Sequence, residues 1–130
     1  MAEISNETKY YAYRASGDIS AHQYNIVRLS DGVSQVNVAS LASDNANVGI
    51  LANQPAAANR PASVAYEGPF KVRAGGAISS AGVWFTCNGS GRAAVAASGN
   101  TVLGRITETA TADGDVVSCI LQPAFRLTSF

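Results

Sequence analysis

The sequence has little of what most chemical sites need. Its only histidine is His22, and its two cysteines are Cys87 and Cys119. A zinc site with two histidine ligands is therefore excluded, and a histidine-dependent catalytic triad has a single candidate base. Two cysteines also do not amount to the disulfide framework of small secreted domains. We expect both thiols to be buried and unbridged, as small core residues.

Charge excess and long apolar runs are also missing. The 130 residues carry nine basic and nine acidic side chains. A free-standing nucleic-acid-binding protein usually has a basic excess, so we expect no direct nucleic-acid partner. No apolar run approaches the length of a membrane span, and no apolar signal-like segment is visible near the N-terminus. We therefore expect no membrane partner and synthesis in a reducing cytoplasm.

Nucleotide and metal motifs are absent as well. Lys9 and Lys71 are the only lysines, and neither follows a glycine as a Walker A loop requires. Asp113 and Asp115 flank Gly114, but the further oxygen ligands of a calcium loop are missing, so turn chemistry explains this segment better. The sequence therefore predicts no enzyme activity, no cofactor and no metal site.

The residues that are abundant predict a mainly β fold. Hydrophobic residues make up 47% of the chain, enough for one packed domain at this length. From Tyr24 onward, β-branched runs are separated by turn residues, such as the Ser-Asp-Gly at 30–32 and the Asn-Gly at 88–89. We expect a small single-domain β-barrel or β-sandwich with an extended N-terminal arm and little helix. The predicted boundaries are 1–22 for the arm, 23–122 for the β domain and 123–130 for a C-terminal tail.

Two strand patterns and a tryptophan indicate where the core lies. In PFKVRA, at 69–74, apolar residues alternate with Lys71 and Arg73, as in a half-buried strand. DVVSCIL, at 115–121, is apolar on both faces and is typical of a central strand. The alternation around Trp84 favours a core position for that side chain. The residues expected to face inward are Val64, Phe70, Val72, Val83, Phe85, Val117, Cys119 and Leu121.

The chain also contains a weak internal repeat. At a shift of 55 residues, Gly49 corresponds to Gly104 and Val64 to Cys119. Each half then contains a hairpin, a glycine-containing strand, a small polar loop and an apolar strand. Such a duplication would suit a barrel or sandwich made of two similar halves. The alternative is chance similarity in a sequence rich in alanine, glycine and valine.

Four motifs follow one another in a distinctive order and spacing. They are VGILANQPAAANRP at 48–61, SVAYEGPFKVRAGG at 63–76, VWFTCNGSGRAAV at 83–95 and VLGRITETATADGDVVSCIL at 102–121. In this order they resemble the head decoration, or cement, proteins of tailed bacteriophages, and the resemblance runs from about Tyr24 to Leu121. It implies a mainly β virion protein that lies as a homotrimer on the outer surface of the capsid and stabilises it by bridging major capsid proteins.

Given this resemblance, the polar segment 1–22 is the candidate capsid-binding element. It concentrates Tyr10, Tyr11, Tyr13 and Arg14, residue types that are enriched at interface hot spots. An extended arm can add as a strand to an exposed sheet edge of a partner. We expect this arm to be mobile in the free protein and ordered on the capsid.

Other interpretations remain open at the level of sequence. The arm could be a disordered terminus or could wrap on its own trimer. The capsid contact would then lie in the loops around Asn45 or in the tail that ends at Phe130. The alternative function is a sugar- or receptor-binding β module on the virion surface, and a cytoplasmic enzyme is a third.

Overall fold

The structure, a computed structural model, describes residues 7–30 and 34–128. Half of it (50%) is β-strand and 3% is helix, which confirms the predicted mainly β single domain. The helical part is one 3-10 turn, Ser20–His22. In this part of the chain the strands are β1 Lys9–Ala15, β2 Ile26–Leu29, β3 Gln35–Val38, β4 Asn47–Leu51, β5 Pro61–Arg73, β6 Trp84–Cys87, β7 Ala93–Val95, β8 Thr101–Ile106 and β9 Val116–Arg126.

Strands β1 to β5 form a closed five-stranded barrel. The order around the barrel is β1-β3-β2-β4-β5, and β1 closes it by pairing parallel with β3 and antiparallel with β5. The other four strands continue as a sheet in the order β5-β9-β8-β6-β7. Strand β5 is 13 residues long, so its first part belongs to the barrel and its last part to this second sheet.

Strand β1 lies inside the segment predicted to be an N-terminal arm. Its residues are extended, as expected, but they pair with β5 from Lys9 to Arg14 and form part of the barrel wall. The strand is difficult to recognise in the sequence because only Ala15 is fully buried, while tyrosines and charged residues occupy both sides. Residues 1–6, the rest of the predicted arm, lie outside the described residues, as do Asp31, Gly32 and Phe130.

The described residues form two core clusters, one inside the barrel and one between the second sheet and the outer face of the barrel. All eight residues predicted to face inward are buried, or half-buried against the core in the case of Phe70 and Val83. The cluster between the second sheet and the barrel holds the largest fully buried side chain, Phe85. The cluster inside the barrel consists of Ala15, Ile19, Val27, Val36, Leu51, Ala62 and Val64.

The strand registers confirm the internal repeat. Pairs between β4 and β5 recur 55 residues later between β8 and β9. Gly49 and Gly104 hold the same place in the two copies, because a Cβ on either would collide with a carbonyl oxygen of the neighbouring strand. The pairs and their counterparts are Ile50–Ala65 with Arg105–Ile120, and Leu51–Val64 with Ile106–Cys119.

The repeat also includes β1, which corresponds to the last part of β5. Each β1 residue pairs with the first part of β5 in the same way that the residue 59 positions later, in the last part of β5, pairs with β9. The chain therefore contains one five-stranded unit twice, and we call residues 9–67 the first half and residues 68–126 the second half. Corresponding pairs are Tyr11–Val64 with Phe70–Cys119, Tyr13–Ala62 with Val72–Val117, and Arg14–Pro61 with Arg73–Val116.

The hairpins occupy matching places as well. The β2–β3 hairpin pairs Val27 with Val38, and the β6–β7 hairpin pairs Phe85 with Val95. Val27 also lies opposite Gly49, as Phe85 lies opposite Gly104. Corresponding residues are thus 58 positions apart in β2 and β6, and 57 positions apart in β3 and β7.

Candidate functional site

Strand β1 carries all four residues predicted to bind a capsid. Tyr10 is 49% exposed and Tyr11 is 37% exposed. Arg14 is also exposed, whereas Tyr13 is half-buried. The rings of Tyr11 and Tyr13 lie on one side of the strand with their centroids 5.5 Å apart, and alternation places Tyr10 and Arg14 on the other side. The role of these residues in capsid binding stays a prediction.

The tyrosine rings are held by neighbouring aromatic side chains. Tyr11 stacks on Tyr66 with a centroid distance of 3.8 Å, and Tyr10 meets Phe70 edge-on at 6.1 Å. Burial and the nearby Tyr11 raise the pKa of Tyr13. Rings that are already packed lose less conformational entropy when a partner binds. This surface is therefore ordered within the chain, in contrast to the expected arm that orders only on the capsid.

A groove of about 220 Å³ lies beside β1, where the barrel meets the end of β9. Leu29 is 40% exposed in it. The nearby Asn45 loop is held in place, because Arg126 donates hydrogen bonds to the Asn45 side-chain oxygen at 2.7 Å and to the Ser43 carbonyl at 3.1 Å. The residues that line the groove are Tyr11, Leu29, Asn45, Ala46, Asn47, Val48, Tyr66, Pro123 and Ala124.

Trp84 is not a core residue, contrary to the sequence-based expectation. Phe85 takes the inward position, so Trp84 is half-buried on the outer face of the second half. The Arg105 guanidinium lies 4.2 Å from the centroid of the Trp84 ring, and Phe125 meets the indole edge-on at 5.4 Å. Adjacent residues of a strand point to opposite faces, so the inward position of Phe85, which was predicted correctly, places Trp84 on the outside.

Strand β9 is a central strand, as expected, because it pairs with β5 on one side and β8 on the other, and one of its faces is buried. Val117, Cys119 and Leu121 face the core, whereas Ile120 is 54% exposed. Ile120 lies opposite Arg105, which lies opposite Trp84. We call these three residues, Trp84, Arg105 and Ile120, the outer row of the second half.

The two cysteines are buried free thiols. Burial raises the pKa of Cys119 to about 12 and also raises the pKa of Cys87. Because the thiolate is the reactive form of cysteine, both side chains are poor nucleophiles. Both side chains contribute packing. Cys119, for example, occupies the position in the second half that the buried Val64 occupies in the first half.

The acidic loop before β9 is explained by turn chemistry, as expected. The Asp115 carboxylate accepts hydrogen bonds from the backbone N–H groups of Thr111 and Ala112, both at 3.0 Å, and from the Thr111 hydroxyl at 2.9 Å, and these bonds lower its pKa. Asp113 forms an ion pair with Arg92 at 2.8 Å. Among residues 7–30 and 34–128, no group of three or more histidine, cysteine or acidic side chains could hold a metal ion.

A search for membrane-spanning helices gives no candidate. Within the described residues, none of the helical structure is long and apolar enough to cross a bilayer.

Comparisons with known proteins match most of the chain. The family model described as phage cement protein matches residues 5–121, a range that includes the first half of the repeat and the second half except its last five residues. No curated protein matches the chain. Among solved structures, the N base of head fiber gp8.5 from bacteriophage phi29 is similar, with a TM-score of 0.63 and 18% identity over 89% of this chain and 95% of that chain. At this identity, the likeness concerns the fold alone.

Proposed function

Because the chain belongs to the phage cement protein family, we propose that it binds the outer surface of a phage capsid as a homotrimer and stabilises the shell by bridging major capsid proteins. Family membership makes it a phage capsid structural protein. The observation that carries the proposal is the family match over residues 5–121.

The chemistry of the chain supports a structural, non-enzymatic role. Its thiols are buried, and its Asp115 carboxylate is engaged by backbone groups of its own turn. The formal net charge is zero, so the chain lacks the basic excess that would draw it to the packaged genome. A cement protein needs stable folding, and the closed barrel with its continuous second sheet supports this.

For the capsid contact, we propose the side of β1 that bears Tyr10 and Arg14. Both side chains are exposed, and tyrosine and arginine are enriched among residues that dominate binding energy. The strand is fixed by its pairing with β5, so little backbone entropy is lost on binding. Tyr11 and Tyr13 lie on the other side, where they support the strand and border the groove.

Co-sedimentation with expanded capsids tests this function. We expect the intact chain to co-sediment with capsids and to raise the temperature at which they break. Replacing both Tyr10 and Arg14 by alanine should weaken binding by about 30-fold or more, the effect of losing a hot spot. Leu41→Ala is the matched control, since Leu41 is 59% exposed in the loop between β3 and β4. An intact chain that does not bind capsids overturns the function, and a double variant that binds normally overturns only the choice of surface.

The alternative, a sugar- or receptor-binding module, gains one observation because Trp84 is partly exposed. Carbohydrate rings stack on open indole faces, but the Arg105 guanidinium already covers one face and Phe125 packs against the edge. The capsid role is therefore better supported. A change in Trp84 fluorescence on addition of glycans, without binding to capsids, would favour the alternative.

A further inference from the structure

The outer row of the second half has a counterpart in the first half that is completely covered. Ile26, Ile50 and Ala65 pair across β2, β4 and β5 as Trp84, Arg105 and Ile120 pair across β6, β8 and β9. The first-half residues are 0% exposed, although they lie on the outer face of the barrel. They are buried because they belong to the core cluster of the second half.

Residues of strands β6, β8 and β9 pack with this first row. Cys87, Leu103 and Leu121 belong to the same buried cluster as the row. A backbone hydrogen bond also joins the two halves here, with the Ile26 N–H donating to the Gly91 carbonyl at 2.7 Å. The packing between the halves is thus a row of outward side chains of one unit inserted against the core of the next.

The residues that correspond to this covering surface lie in the first half, where two are exposed and two are half-buried. Cys87, Leu103 and Leu121 correspond to Leu29, Val48 and Tyr66, and Phe70, which packs on the same cluster, corresponds to Tyr11. All four first-half residues line the groove beside β1. The molecule therefore presents one uncovered row in its second half and one unfilled receiving groove in its first half.

We propose that the outer row of one copy of this chain packs into the groove of a second copy. This contact between two chains would have the same geometry as the packing that joins the two halves within one chain. Such a head-to-tail contact uses two different surfaces, so successive copies form a ring where the rotation closes. Three contacts would close the proposed homotrimer; that number rests on the proposed function, whereas the contact itself does not.

The chemistry of the row suits a buried contact. The segment of β9 is apolar on both faces, as in strands that are covered on both sides, yet one face is open in the single chain. Tryptophan and arginine are enriched at interface centres, and a guanidinium stacked on an indole tolerates loss of water better than an ammonium does. The side-chain oxygen of Asn45, at the wall of the groove, accepts a hydrogen bond from Arg126 and has a second lone pair that can accept one from the Arg105 guanidinium.

Measuring the mass of the free protein over a range of concentrations tests the contact without a capsid. We expect the intact chain to self-associate, and we expect Ile120→Arg in the row and Leu29→Arg in the groove each to weaken association by about 30-fold or more. Val95→Arg is the matched control, because Val95 is 55% exposed and Ile120 is 54% exposed on different strands. Circular dichroism and melting of each variant establish that it is folded.

Mixing the two variants tests the head-to-tail geometry. The Ile120→Arg chain keeps its groove and the Leu29→Arg chain keeps its row, so an equimolar mixture should form one intact contact and stop at a dimer of the two variants. An intact chain that stays monomeric, equal weakening by Val95→Arg, or a folded Ile120→Arg chain that associates normally overturns the proposal. A mixture without heterodimers overturns the pairing of these two surfaces. Capsid binding, measured separately, shows whether the proposed function fails independently.

Discussion

The two halves of the molecule share a backbone plan but differ in what surrounds them. The first half is a closed barrel whose outer row is buried against the second half. In the second half, the corresponding closing contact is a single parallel bridge between Ala74 and Ala93. In the first half, β1 and β3 make two such pairs. The outer row of the second half is exposed or half-buried. One unit can therefore occupy both a covered and an uncovered position.

Side chains in the two rows reflect these different surroundings. The covered row consists of the compact residues Ile26, Ile50 and Ala65, which fit a dense interior. The uncovered row, with Trp84, Arg105 and Ile120, combines large apolar surface with a charge. Corresponding backbone positions thus hold quite different side chains, because it is the packing of the neighbouring unit, and not the strand itself, that determines which side chain fits.

The largest expected effect comes from removing the strand that closes the first barrel. Deleting residues 2–16 removes β1, which should unfold the chain because the barrel would open and β3 and β5 would each lose the strand that closes it. Deleting residues 127–130 is the matched terminal control and should leave a cooperative thermal transition. Circular dichroism melting measures both. A cooperatively folded domain after the first deletion would contradict the prediction, because it would show that the fold does not require β1.

A smaller effect should separate the interiors of the two halves. Phe85→Ala should lower the free energy of unfolding by about 3–5 kcal/mol, whereas Val27→Ala, at the corresponding place in β2, should cost about 2 kcal/mol. Because Phe70 is only half-buried, Phe70→Ala should cost less than Phe85→Ala. Denaturant titration gives the values, and we expect a single transition since β5 belongs to both halves. Unchanged melting of Phe85→Ala would contradict its place in the core.

The smallest effect concerns corresponding positions Val64 and Cys119. Cys119→Ser buries a hydroxyl and should cost about 1–3 kcal/mol, whereas Cys119→Val, which copies the first half, should cost less. Unfolding midpoints measure both. Similar costs for the two substitutions would show that polarity does not matter at this site.

The pKa of Cys119 adds a pH dependence to the same position. Its folded-state pKa of about 12 lies above the value of an exposed thiol, so the unfolded chain loses the proton first as the pH rises. Stability from this group is complete below about pH 8.5 and falls above it by at most about 1.4 kcal/mol per pH unit. Cys119→Val should reduce this loss of stability, and an unchanged dependence of stability on alkaline pH would contradict the prediction.

Mass spectrometry under non-reducing conditions checks that Cys87 and Cys119 are unbridged.

Sequence patterns located most of the second half, and they failed where polar or aromatic residues interrupt the alternation. Strand β1 was missed because its tyrosines and charges give no aliphatic period. One signal could have found it: the Arg-Ala-x-Gly at 14–17 recurs at 73–76, at the end of a strand that was predicted correctly. Comparing the chain with itself at a shift of 59 residues, as well as 55, would have revealed the first strand of the repeat.

The sequence alone determined the local structure and the repeat of this protein, because strand periods, turn residues and two close-packed glycines act over short distances. It also carried the family resemblance, since the order of the motifs survives in the chain. Only the tertiary structure decided that β1 closes a barrel and that one outer row is covered while its counterpart is open. These outcomes depend on which unit packs against which face, and a one-dimensional pattern shows that a face is apolar without showing what covers it.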